Sequence, residues 1–256
     1  MHLADGIVTS PGVLAGAGVA AATALGVAMR RARLEEPRAL AWTGMIAAFV
    51  LSAQAVNVPL LPGTSAHVIG ASLAAMTLGP ARAIVALAAV LVVQAIALGD
   101  GGITTLGLNL LDMAVLPVAC VTLCRGALGG SRGGLAAAAV VGTLAGSVTG
   151  AVLLAAALVA GAGAPPHLAF PWLVGAQGLA GVAEGVLTAV AIRHLEHRAP
   201  GLVAPEKAAR EEGPPRLRMS FAWAALAIGI TAALVPLASS APDALERLLP
   251  RVAQRP

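Results

Sequence analysis

Apolar stretches of membrane-spanning length, cut by glycine, proline and short charge clusters, run through almost the whole chain. A helix that crosses a bilayer needs about 20 predominantly apolar residues. The breaks divide this sequence into eight candidates: Pro11–Met29, Ala39–Val56, His67–Leu78, Ala83–Leu98, Thr105–Cys124, Gly134–Gly161, Ala169–Ile192 and Met219–Ser239. The third is too short to cross alone and reads as a short helix facing a cavity, because lipid offers no partner for open backbone. The sixth is long enough to need tilt or an extension past the lipid. A stretch rich in charge, Pro and Ala, 193–218, reads as a cytoplasmic linker between a body, 1–192, and a single-span segment with an outer tail, 219–256. The expected fold class is all-α: a polytopic membrane protein with a seven-helix body plus one C-terminal transmembrane helix.

Composition agrees with this pattern. Only 11% of the 256 residues are charged and 58% are hydrophobic, where a soluble domain carries about 25% charge. Membrane lipid is therefore the first expected partner. The abundant Ala and 30 Gly suit helices whose backbones approach closely in lipid. Three Trp and three Phe are too few for full aromatic belts, so loop charge must set the orientation. With the N-terminus outside, Arg30, Arg31, Arg33, Arg38, Arg82, Arg125, Arg132, Arg193, Arg198, Lys207, Arg210, Arg216 and Arg218 fall inside. Only Arg247, Arg251 and Arg255 fall outside, so both chain ends are expected on the outer face of a prokaryotic cell (inner) membrane. A pI near 10.4 does not imply nucleic acid, since the basic residues lie in short loops rather than along a groove or exposed helix. Cys120 and Cys124, one helical turn apart in an apolar stretch, read as small buried side chains.

The same topology sorts the histidines. His2, His67 and His167 fall outside together with Asp5 and Asp100, while His194 and His197 join a basic inner edge. The opening MHLADGIVTSPG lacks the positive region of a signal peptide. His2 is too large a second residue for ready removal of the initiator Met, so the amine of Met1 is expected to be present. That amine, the backbone nitrogen of His2 and the His2 imidazole form consecutive chelate rings around a metal, with three nitrogens in one plane. Tetragonal nitrogen coordination favours Ni(II) or Cu(II) and accepts Co(II). A fourth nitrogen must come from elsewhere: His67, after LPGTSA, is one candidate and His167, in GAPPHLAF, another. Set against this, His2 reads equally as a solvated terminal residue and His67 as an interfacial cap.

MHLADGIVTSP, QAVNVPLLPGTSAHVIGASLAAMTLGP and GDGGITTLGLNLLDMA together resemble the CbiM/NikM family, the substrate-binding components of energy-coupling-factor cobalt and nickel transporters. The likeness runs from Met1 to about residue 192. It implies that Met1, His2 and the histidine of GTSxH, His67, hold the metal, and His167 matches no family ligand. It also implies Ni2+ or Co2+ as transported substrate, no enzymatic cofactor, a transmembrane coupling component like CbiQ/NikQ, and ATPases like CbiO/NikO. VGAQGLAGVAEGVLT keeps the family's Glu as Glu184, but Gln177 stands where His is common, and Asp112 stands where Asn is frequent. Glu184 and Asp112, mid-span carboxyls, read either as part of the ion's surroundings and path or as helix-packing hydrogen bonds. Gln54 and Asn57, Thr64 and Ser65 of the GTSxH loop, and Asp5 are further candidates for groups that orient the ligands. The ending SSAPDALERL resembles the outer PDGLE motif of the small CbiN/NikN component, with Asp243, Leu245 and Glu246 matching and Ala244 in place of Gly. Two normally separate components would thus be fused.

Other classes fit less well. No GxxxxGK[ST] loop is present, so ATP hydrolysis falls to partners. Gly129-Gly130-Ser131-Arg132-Gly133 fits the GxSxG of hydrolases but sits in a basic loop with no preceding strand. A stand-alone secondary carrier is the main alternative, and it would need His and Asp ligands inside successive spans, whose interiors hold no His. Ala15, Ala17, Ala20, Ala21 and Ala24 read either as a docking face or as ordinary lipid packing.

Overall fold

The computed structural model describes residues 2–61, 64–130, 133–198, 202–203 and 241–253. The expected last span, 219–239, and the linker beyond Val203 lie outside these residues, as does the Ser131 of the GxSxG pattern. The elements are α1 (Pro11–Ala32), α2 (Pro37–Gln54), β1 (Val58–Leu61), β2 (Thr64–Ala66), α3 (Ala71–Leu78), α4 (Pro80–Val93), α5 (Leu106–Leu110), α6 (Leu116–Leu128), α7 (Gly134–Ala162), α8 (Pro166–Arg198) and α9 (Ala244–Ala253). Single π-helical turns, Gln94–Leu98 and Leu111–Val115, extend α4 and join α5 to α6. Among the described residues this is an all-α polytopic membrane protein, in which five helices are long and apolar enough to cross a bilayer. The 18-residue α2 adds about 27 Å of helix at 1.5 Å per residue.

Proline and glycine place the breaks. α1, α2, α4 and α6 carry Pro in their first turn, where no intrahelical N–H is needed. Gly79 (φ 78°) separates α3 from α4. As expected, α3 is too short to span, and all of it except Leu73 is buried in protein. α7, with 29 residues, and α8, with 33, exceed the ~30 Å hydrocarbon thickness at 1.5 Å rise per residue. α8 continues through His194 and His197 to Arg198, so the first six residues of the expected linker are helical.

Small residues govern how these helices meet. On α7, Gly142, Gly146 and Gly150 recur every fourth position and face α6 and its preceding turn. A Cβ on Gly146 would fall 2.7 Å from the Cα of Pro117, closer than atoms can approach, so only hydrogen fits there. Of the alanines of α1, Ala17 and Ala21 pack inward while Ala15 and Ala20 are exposed, so they do not form one docking face. Large apolar side chains such as Leu187, Val190 and Leu123 point outward, as lipid-facing positions require.

An antiparallel hairpin, β1–β2, was not expected from the sequence. Its second strand holds Thr64, Ser65 and Ala66, just before His67, and lies at the end of the bundle where the N-terminal segment, the 99–105 loop and α9 also gather.

Candidate metal centre

Residues 2–9 pack against that end of the bundle, with a turn at 5–7 in which Gly6 has φ 81°. Leu3 is fully buried and Val8 nearly so, and both join an apolar cluster with Leu154, Leu158 and Leu173. Hydrogen bonds fix the segment's register. The Leu3 N–H donates to Asn109 Oδ1 at 2.9 Å. The Leu3 carbonyl accepts from Asn109 Nδ2 (3.0 Å), from the Gly102 N–H (2.8 Å) and from the Thr105 hydroxyl (2.6 Å). Asp5 accepts from the Ile103 N–H, the Thr104 N–H and the Thr104 hydroxyl. Those bonds, the Thr104 hydroxyl first, hold the Asp5 carboxyl below its usual range. A depressed acid contributes its stabilisation above the unfolded value of about 3.9 and loses it only as pH falls through the lower folded value. The anchor therefore persists into acid. Further along, the Thr9 N–H donates to the Gly161 carbonyl at 2.9 Å.

The glycines of GDGG make this docking possible. Gly101 has φ 95°, and a side chain there would press on Asn109 and on His2. At Gly102 a Cβ would collide with the Asp5 carboxylate and its backbone nitrogen.

The segment brings His2 to His67. Their rings stack with centroids 5.1 Å apart and planes 16° apart. The His2 side chain is only 4% exposed, so the reading of a solvated terminal residue does not hold. Its Nδ1 lies 3.1 Å from Asp100 Oδ1, and its Nε2 is buried without a hydrogen-bond partner among the described residues. His67 Nδ1 faces the Val68 carbonyl at 3.0 Å, which, with Nδ1 as donor, leaves the lone pair on Nε2. Burial above all, with His2 alongside, pushes His67 well below the ordinary imidazole range, so it is neutral at physiological pH. The hydrogen bond from His2, above all, holds the Asp100 carboxyl below its usual range. Imidazoles at this spacing are close enough for one nitrogen of each to reach a common ion at about 2 Å.

The loop that carries His67 is held from three sides. Glu184 of α8 accepts the Ile69 N–H at 2.7 Å and the Gly70 N–H at 2.8 Å, one on each carboxylate oxygen. Gln54 donates to the Ile69 carbonyl at 2.7 Å and accepts from Gln94 at 2.9 Å. Gly70 turns the chain into α3 at φ 79°, against Val50, where no side chain fits. Ser65 ties the loop to the C-terminal segment: its N–H donates to the Pro242 carbonyl (3.1 Å) and its hydroxyl to the Ala241 carbonyl (2.6 Å).

Each residue of the PDGLE-like motif has a visible job in that segment. Asp243 caps α9, taking the Glu246 N–H at 2.8 Å, and Glu246 reaches back to the Asp243 N–H at 2.8 Å, a capping box. Leu245 and Leu248 are buried against α8, and Trp172 Nε1 donates to the Ala244 carbonyl at 2.7 Å. Replacing Asp243 by Ala should cost about 1 kcal/mol of α9 stability. Hydrogen exchange across 241–250 should then speed up, whereas unaltered exchange would mean that the cap holds nothing.

Other sequence candidates sit elsewhere. Met1 and its amine lie outside the described residues. Thr64 begins β2, and Asn57 is half-buried just before β1. Gln177 is buried on α8. Asp112 sits in the π-helical turn with Oδ1 tight against Gly150, and its Oδ2 is buried without a partner among the described residues. His167 lies apart, lining a cavity of about 230 Å³ with Trp172 and Leu248. Asp100, Asn109, Thr105 and Gln94 were not foreseen as parts of the site. The signal for the first three lay in GDGGITTLGLN, whose paired glycines mark close backbone approach.

Fold and site together define a polytopic membrane protein whose N-terminal segment lies against the bundle and brings a part-buried pair of histidines together. Residues 2–202 match the CbiM family model, described as the cobalt uptake substrate-specific transmembrane region, and the chain belongs to this family. It is similar to the fused nickel transport protein NikMN of Rhodobacter capsulatus, 33% identical over 212 residues, covering 75% of this chain and 59% of that protein. It is also similar to the cobalt transport protein CbiM of Thermosediminibacter oceani, 43% identical over 81 residues, covering 32% of this chain and 33% of that one. The matches thus span 59% and 33% of these relatives' lengths, less than two thirds of either. A crystal structure of a transition metal transporter superposes with a TM-score of 0.70 at 27% identity, covering 83% of this chain and 100% of that one. A truncated form of such a transporter gives 0.68 at 28% identity, covering 77% and 99%.

Proposed function

We propose that this chain captures Ni2+ or Co2+ outside the cell as the substrate-binding subunit of an ATP-driven, energy-coupling-factor importer. The observation that carries the reading is the burial of His2 against His67 beneath a hydrogen-bonded N-terminal segment. The ligands are the Met1 amine, the His2 amide and imidazole, and His67. For Nδ1 of His2 to join the chelate, the imidazole turns away from Asp100, which then stands beside the cation as a counter-charge. Deprotonation of the His2 amide cancels one metal charge and makes capture weaken as pH falls.

Energy comes from partners, since the chain has no phosphate-binding loop: a membrane coupling component and a pair of ATPases. The common end of His2, His67 and the 241–253 segment supports an outward orientation of both chain ends. The arginine-rich ends of α1, α2, α4 and α6 then face the cytoplasm of a prokaryotic cell. The tail motif, fastened through Ser65 to the His67 loop, acts as a built-in CbiN/NikN-like segment.

Reconstitution in vesicles tests this. The chain with coupling and ATPase subunits should take up nickel or cobalt only with ATP inside the ATPase compartment. Uptake by the chain alone would favour the secondary carrier. Nickel and cobalt suit the same nitrogens, and direct competition on the purified chain ranks them.

A further inference from the structure

α3 is an eight-residue helix, Ala71–Leu78, about 12 Å long, and opposite charges hold its two ends. At its start the Glu184 carboxylate takes the Ile69 and Gly70 N–H groups, two and three residues after His67. At its finish the Arg125 guanidinium donates to the Met76 carbonyl at 3.1 Å. Both placements complement the helix dipole. In its first turn, Ser72 accepts from the Thr143 hydroxyl of α7 at 2.6 Å. Gly79 and Pro80 break the chain before α4, so α3 is a separate body rather than the end of a longer helix.

Arg125 also has a second hold. Its other terminal nitrogen donates to the Val203 carbonyl at 2.8 Å. Val203 is buried in the same apolar cluster as Ala74, Ala75, Met76 and Leu78. One guanidinium thus ties the C-terminal end of α3 to Val203, five residues beyond the end of α8. A close-packed helix moves as a unit, because cores do not deform continuously.

We propose that α3 is a strut between the linker and the metal loop, and that Arg125 is a positioning residue for His67, acting from the far end of that strut. Events on the linker after Val203 reach the bound ion through this route. The inference rests on the metal site proposed above.

A double-mutant cycle on the full-length chain tests it, with Ni2+ affinity read by chelator competition for wild type, Arg125→Lys, Glu184→Gln and the pair. Sites more than about 10 Å apart with no shared partner normally give additive effects. Both single variants should weaken binding, and the pair should weaken it at least about fivefold less than the product of the two. A product reproduced within about twofold, or no effect of Arg125→Lys, overturns the strut. Amide exchange in the peptide covering 67–70, measured without metal, is the second readout. Arg125→Lys, or Arg125→Gln if the lysine variant does not fold, should raise exchange there, and unchanged exchange also overturns the proposal. If an added residue before Met1 leaves nickel bound as before, the site reading is what fails, while the metal-free exchange still decides on the strut.

Discussion

One residue added ahead of Met1 should abolish stoichiometric nickel or cobalt binding while leaving the fold intact. The extension moves the amine of the proposed chelate one residue away from His2 and brings an extra side chain to a segment where Leu3 is fully buried and the His2 side chain nearly so. The loss is larger than removal of one monodentate ligand, because the ring shared by the amine and the His2 amide opens and the amide loses the donor that anchors its deprotonation. His67→Ala removes only the nitrogen from the other side of the stack, and its effect should be smaller than that of the extension. Supporting partners of metal ligands typically contribute 10- to 100-fold in affinity, so loss of a ligand itself should exceed about 100-fold. Metal content after gel filtration, with thermal unfolding as control, reads both variants. A chain that keeps one ion with its amine blocked would refute the terminal chelate.

Much of this was legible because lipid demands long apolar helices. Span positions follow from Gly, Pro and charge, and the helices found start or end within a few residues of the expected bounds. The errors have physical causes. Helix ends extend past the apolar runs, as in α8 through Arg193, His194 and Arg198, because such residues are helical in water as readily as not. The β1–β2 hairpin escaped notice because VPLL and TSA are too short to show a period, and Pro59 argues against a strand. Single π-helical turns leave no mark in composition.

The site was legible in its ends and not in its middle. His2 and His67 were readable as donors on the outer face, and Met-His at a terminus carries its own chelate chemistry. Asn109, by contrast, lies inside an apolar run, where polar side chains register only as a cost to burial. Glu184 left two roles open, and its two hydrogen bonds to the backbone after His67 make it a clamp on the loop that carries His67. Ser65 was grouped with the ligand's surroundings because of its motif, yet its partners come from the tail, 176 residues away from Ala241 in sequence. Contacts of that range have no local signature.

Asn109→Leu should weaken metal binding by about 10- to 100-fold, the range for groups that orient ligands, although Asn109 is no ligand itself. Its amide faces the residue next to the chelate and serves both backbone groups of Leu3. The two halves of that service are unequal. The Leu3 carbonyl also accepts from Gly102 and Thr105, so losing the Asn109 donor leaves it satisfied. Among the described residues the Leu3 N–H donates to Asn109 Oδ1 alone, and a buried donor left unmade costs about 1–3 kcal/mol. The segment can recover that cost only by letting water in, which pulls His2 off His67. Thr105→Val provides the contrast, since it removes one of three donors to a carbonyl and should change affinity by less than about threefold. Isothermal titration with nickel compares the two. Equal effects would show that the N-terminal segment is held by packing alone, and that the hydrogen bonds to Leu3 do not set the position of the ligands.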